Sequence, residues 1–209
     1  MSNTLVREPR WPAFVTMIAD ACIYLALPDR LSVGPRWLLL GIILVLLVPI
    51  VFTYQRGHQN ITRALTFIAN GALTLALMGS LVLLVQGLPQ HSYAPGKLLR
   101  SASALWITNV LVFALWYWKL DAGGPLQRDR IGSARNSSFL FPQMLQRGPS
   151  EAWSPNFLDY LFLAFNTSTA FSPTDTAVLS RWAKVLVMTQ SLISLLIVVL
   201  LAARAVNIL

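Results

Sequence analysis

Charge-free apolar stretches, separated by short polar breaks, organise the chain. Trp37 to Gln55 carries no charge. Arg63 and Lys97 bound a second such stretch, Arg100 and Lys119 a third, and Lys184 and Arg204 a fourth. A membrane-crossing helix needs about 20 mostly apolar residues at about 1.5 Å each. All four stretches meet that length, and Pro89 and Pro95-Gly96 end the second near Leu88. An earlier run, Trp11 to Leu27, is long enough but holds Asp20 at its middle. An acid at that depth costs about 2.5–3.5 kcal/mol on insertion scales. We read the run as a span with Asp20 turned toward the bundle or water, with an interfacial helix as the alternative. The pattern predicts an all-α polytopic membrane protein with about five transmembrane helices. Three (11–27, 37–55 and 64–88) lie in an N-terminal part, 1–97, and two more (99–119 and 176–208) in a C-terminal part, 98–209.

Composition narrows the class. Charged residues make up 11% of the 209, against about 25% in ordinary globular chains. Sixteen basic and 8 acidic side chains cannot cover a soluble surface, so a soluble enzyme and a disordered chain are both excluded. The net charge of +8 is spread over short loops with no basic run, so nothing follows a nucleic-acid backbone. Cys22 is the single cysteine and forms no internal disulfide. His58 and His91 are far apart and have no partner at metal-ligand spacing. No nucleophile carries an activating motif. We therefore expect no enzyme, no cofactor and no metal, and expect the lipid bilayer of the cell membrane as surroundings.

Two segments break the pattern. Residues 120–154 hold loop chemistry, Asp121-Ala-Gly-Gly-Pro125 and Arg147-Gly-Pro149, around one apolar knot, Phe139-Leu-Phe-Pro142. Then Ser154 and Pro155 offer an N-cap and a first helical position for a short helix over 155–168. Its apolar body, Phe157 to Phe165, spans about 13–14 Å, half of a bilayer core of about 30 Å. Polar Asn166-Thr-Ser-Thr169 follows, then a filter-like loop over 169–175 and the last helix. A helix too short to cross, followed by polar backbone, has the form of a re-entrant loop. A second reading of the same residues is local. Ser172-Pro173-Thr174-Asp175 forms a capping box that would start the last helix by itself.

This region resembles the pore module of potassium-type channels, with its outer helix, turret, pore helix, filter and inner helix. The motif of that family is roughly Phe-x-Thr-x-Thr-Thr-Val-Gly-Tyr-Gly-Asp. Here Phe165, Thr167, Thr169 and Asp175 fall on family positions, with Ser168, Ala170, Phe171, Ser172, Pro173 and Thr174 between them. The resemblance covers Leu99 to Leu209. The whole chain is also similar to a family of bacterial membrane proteins of unknown function that ends near Val-Asn-Leu, as Ala205-Val-Asn-Ile-Leu209 does here. The channel resemblance implies a homo-oligomer, with a tetramer favoured, and monovalent cations as partners. It also implies that Gln190, Ser191 and Ser194 face a cavity below the filter. The family glycines are replaced by Ser172 and Thr174, and Pro173 fixes its own φ. The potassium-selective carbonyl ladder is therefore not implied.

If the first run spans, nine basic residues fall on the side of the long loop (Arg7, Arg10, Arg56, Arg63, Lys119, Arg128, Arg130, Arg135, Arg147). Four fall opposite: Arg30, Arg36, Lys97 and Arg100. The positive-inside rule then puts the loop in the cytoplasm, whereas channels of the resembling family place their turret outside. If the first run is only interfacial, the count is seven against six. Asp159 in the first turns of the short helix complements the helix dipole. Asp20 defaults to a functional hypothesis. Two other classes of function thus stay open: a small carrier using Asp20, and a non-conducting membrane scaffold that offers the long loop to a partner.

Overall fold

The computed structural model describes residues 8–87, 95–131, 137–146, 153–170 and 175–206. The protein is all-α. Its elements are α1 (Trp11–Leu25), α2 (Arg36–Gln55), α3 (Gln59–Gly87), α4 (Pro95–Leu120), α5 (Pro125–Ile131), β1 (Phe139–Leu140), α6 (Pro142–Gln146), α7 (Phe157–Ala170), β2 (Ala177–Val178) and α8 (Arg181–Val206). Among the described residues four helices, α2, α3, α4 and α8, are long and apolar enough to cross a membrane. Such a set belongs in a membrane protein. The outward faces of α2 and α8 carry exposed Val45, Val48, Phe52, Val185, Met188 and Leu192, which water would not tolerate in such rows. At 15 residues α1 is shorter than these four and spans about 22 Å.

The helices α1 to α4 pack up and down. At one end of the bundle Arg10, just before α1, lies 4.5 Å from the centroid of the Tyr54 ring near the end of α2. It also pairs with Asp129 of α5 at 2.9 Å. At the opposite end Tyr24 closes the α1–α2 connection, accepting the Val33 N–H at 2.6 Å. Gly79 of α3 meets Val33 there so closely that a Cβ would overlap its side chain.

The segment after α4, expected as loop, is built. Gly123 and Gly124 take φ of +79° and +95°, and so fold α5 back onto the end of α4. At Gly124 a Cβ would stand 2.9 Å from the Lys119 carbonyl oxygen, so a glycine is required. The apolar knot at 139–142 is a piece of the core. Phe139 and Phe141 are buried and make edge contacts with Tyr117, Tyr160 and Trp182 at 5.1–6.3 Å. Each buried ring contributes about 2–3 kcal/mol. Phe139 pairs with Val178, and Leu140 with Ala177, so β1 ties the start of α8 to this end.

We call this the loop end. It carries the backbone positions of Arg10, Arg56, Arg63, Lys119, Arg128, Arg130, Arg181 and Lys184. Arg30, Arg36, Lys97, Arg100 and Arg204 lie at the far end.

Candidate functional site

The short helix begins two residues later than its sequence implied, and for a local reason. The Asn156 side chain accepts the Leu158 N–H at 2.8 Å, and Asp159 Oδ2 accepts the Asn156 N–H at 2.8 Å. This reciprocal pair is a capping box with Asn156 at the N-cap. It displaces Ser154 and Pro155 from the roles expected of them. Asp159 thus serves the helix start.

From there α7 descends between α4 and α8. Ala164, Thr167 and Ser168 face inward and are buried. Small residues there let three helices approach closely. The inward face is fully engaged. Gln190 of α8 donates from Nε2 to the Ala164 carbonyl at 2.7 Å and to Ser168 Oγ at 2.8 Å. Its Oε1 accepts the Tyr117 hydroxyl of α4 at 2.6 Å. Asn109 of α4 donates to the Gln190 carbonyl at 3.3 Å. Ser194 donates to the Ser168 carbonyl at 2.7 Å and accepts the Trp106 indole N–H at 3.0 Å. Ser168 is in the last turn of α7, where carbonyls lack helical partners. Ser194 therefore caps the helix from the middle of α8.

The residues expected to face a cavity divide accordingly. Gln190 and Ser194 are buried and bonded to α7 and α4 of their own chain instead of facing an open cavity. The reason is that their amide and hydroxyl groups supply the partners that the end of α7 needs. Ser191 is half-buried beside them. The filter-like residues also divide. Thr167 and Ser168 are helical and buried, and Thr169 is helical and exposed with its hydroxyl bonded to the Phe165 carbonyl at 3.0 Å. Ala170 is the last residue of α7, two beyond the expected end. Phe171, Ser172, Pro173 and Thr174 lie outside the described residues, and Asp175 is an exposed bend. The capping box expected at Ser172 to Asp175 does not start the last helix. That helix begins at Arg181, with Ser180 Oγ accepting the Ala183 N–H at 3.4 Å.

At the loop end a second polar cluster secures the top of α7. Asp121 is fully buried. Its carboxylate accepts the Tyr160 hydroxyl at 2.6 Å, the Ser137 hydroxyl at 2.7 Å and the Ser138 N–H. Arg128 donates to the carbonyls of Trp118 and Asp121 at 2.8 and 2.9 Å and pairs with Glu8 at 3.0 Å. Burial pushes the Glu8 carboxyl up from its ordinary range, and Arg128 and the Trp118 indole hold it down only in part. Sequence reasoning missed this cluster. The one available signal was Asp121 itself, a scarce acid beside the Gly-Gly-Pro turn.

Asp20 stands apart from both clusters. It is buried in α1, facing the Thr108 hydroxyl of α4. Neither carboxylate oxygen has a hydrogen-bond partner of ordinary geometry. Asn70 and Ser80 on the inward face of α3 are likewise buried with unpaired polar atoms. Among the described residues no three His, Cys, Asp or Glu side chains come together as a metal site. Comparison with known protein families, characterised proteins and solved structures gives no match.

Proposed function

We propose that this is an integral pore-loop protein of the cell membrane, built on the plan of cation-channel pore modules. It would assemble as a homo-oligomer, with a tetramer favoured, around a polar path for monovalent cations that is not potassium-selective. The observation that carries this reading is the seating of α7. Its 14 residues extend about 21 Å. Its first turn and the strand that follows it are both held at the loop end, by Tyr160–Asp121 and by the β1–β2 pair. Its last turn meets the middle of α4 and α8 at Asn109, Gln190 and Ser194. A helix that stops at mid-depth directs the negative end of its dipole there, which favours a cation.

Two further features support the reading. Leu158, Phe162, Phe165 and Thr169 form an exposed stripe along α7 at helical spacing. A neighbouring copy would cover that stripe. The excess of basic residues at the loop end favours the cytoplasm for that end, so the loop would dip in from inside. That orientation is inverted relative to the family the segment resembles.

Cation flux in liposomes tests this function. Wild-type protein should pass sodium and potassium at comparable rates. No flux from wild type, and none after residues 170–175 are exchanged for a glycine-containing filter, would contradict it.

One observation favours a second reading, a small carrier. Asp20 is a buried acid with no cationic partner among the described residues, facing the Thr108 hydroxyl outside ordinary hydrogen-bond geometry, and such groups in membranes mark ion and proton paths. Transport abolished by Asp20→Asn, but unaffected by changes in 170–175, would select the carrier.

A further inference from the structure

A cavity of about 290 Å³ opens at the loop end among the start of α1, the end of α2, the start of α3 and the α4–α5 turn. It is close to the lower size limit of small-molecule sites, about 300 Å³. Among the described residues its walls hold three basic side chains, Arg10, Arg63 and Lys119, and no acid. Arg10 is already paired with Asp129. The other two are not so compensated. Lys119 is 7% exposed. Arg63 and Lys119 both lie over the ring of Phe67, at 5.8 and 5.0 Å from its centroid. Among the described residues neither makes an ion pair with a carboxylate; the ion pairs there are those of Arg10, Arg36 and Arg128. Arg63 is exposed and stays solvated, whereas the buried Lys119 amine beside it must either give up its proton or be joined by an anion. Phe14, Ile50 and Trp118 line the same cavity, so the cations share it with an apolar wall.

We infer that this cavity binds a phosphate-bearing anion between Arg63 and Lys119, with the headgroup of an anionic phospholipid as the ligand its apolar wall fits. Basic pockets between transmembrane helices recognise such headgroups, and each basic residue near the surface contributes about fivefold in affinity. The inference needs only that the protein lies in a bilayer, and it stands whether or not the pore conducts.

Purified full-length protein, delipidated and then offered phosphatidylglycerol or phosphatidylcholine in mixed micelles, tests it by native mass spectrometry. Inorganic phosphate in a thermal-shift assay is the second arm. Phosphatidylglycerol should be retained preferentially. Retention should fall about fivefold in Arg63→Gln or Lys119→Gln and about thirtyfold in the double variant. Lys119→Arg, which keeps the charge, should retain it. So should Lys97→Gln with Arg100→Gln at the far end, which separates charge loss from misfolding. A thermal shift with inorganic phosphate alone, lost in the double variant, would assign the site to a free anion rather than a lipid. Equal retention of the two lipids with no phosphate shift, or retention unchanged in the double variant, would overturn the inference.

Discussion

The Tyr117 hydroxyl of α4 donates to Gln190 Oε1 of α8 at 2.6 Å, while Nε2 of the same amide donates to the Ala164 carbonyl of α7 at 2.7 Å. One side chain thus joins three helices at mid-bundle. Gln190→Leu removes the side-chain bonds to Tyr117, Ala164 and Ser168. Interhelical bonds in membranes contribute about 0.6–1.7 kcal/mol each, so the variant should lose about 2 kcal/mol. Tyr117→Phe removes one bond and should lose less than half of that. Unfolding midpoints in detergent check the order. Equal effects of the two variants would contradict it.

The helix starts give a sharp contrast between neighbouring residues. Asn156→Ala and Ser180→Ala each remove a cap in use and should cost about 1 kcal/mol. Ser154→Ala, at the position the sequence pattern favours, should cost a few tenths at most. Three single variants followed by thermal unfolding decide between the two sets.

Asp121 holds Tyr160, Ser137 and the Ser138 N–H together. Asp121→Ala leaves all three without their carboxylate; Ser137 keeps the Phe139 carbonyl at 2.7 Å, and the Tyr160 hydroxyl and Ser138 N–H, both buried and stranded, cost about 1–3 kcal/mol each. Tyr160→Phe removes a single bond and should cost about 1 kcal/mol. The difference should appear as protease cleavage within 137–146, rapid in Asp121→Ala and near the wild-type rate in Tyr160→Phe.

Glu8 sets a pH dependence. Its carboxyl is raised above the ordinary value of 4.5, burial outweighing the Arg128 guanidinium and the Trp118 indole. The folded protein therefore holds this proton more tightly than the unfolded chain. Between pH 4.5 and the raised value the folded state binds more protons, so stability falls as pH rises through that window and levels off on either side. Glu8→Gln is neutral throughout. The wild-type unfolding midpoint should therefore fall, relative to that of the variant, as pH is raised across the window. Parallel curves would contradict this.

The four long helices are legible because their apolar runs are unbroken by charge, and the short helix because its apolar body is too brief to be a span. What the sequence hides is decided by distant partners. Residues 120–154 read as loop, yet Gly123, Gly124 and Arg128 fold them back onto Trp118, while Phe139 finds Tyr160 and Trp182 far along the chain. Gln190 and Ser194 stand out as polar residues in a span, but their bonding to α7 depends on register between helices. The α7 cap is displaced because Asn156 and Asp159 bond each other, an advantage that Ser154 and Pro155 lack. Lys119 reads as a span-end anchor, and only the packing brings it over Phe67 beside Arg63.

The central claim is that the chain enters and leaves the bilayer on one side around α7. Labelling by a membrane-impermeant thiol reagent tests it most directly. Single cysteines are placed by Asn156→Cys or Asp175→Cys in a Cys22→Ser background, both positions being exposed before and after the helix. In sealed vesicles of one known orientation the account predicts that both react from the same side, with Arg56→Cys at the loop end reacting from that side too. Reaction of positions 156 and 175 from opposite sides would mean that α7 crosses the membrane, and would contradict the pore-loop account.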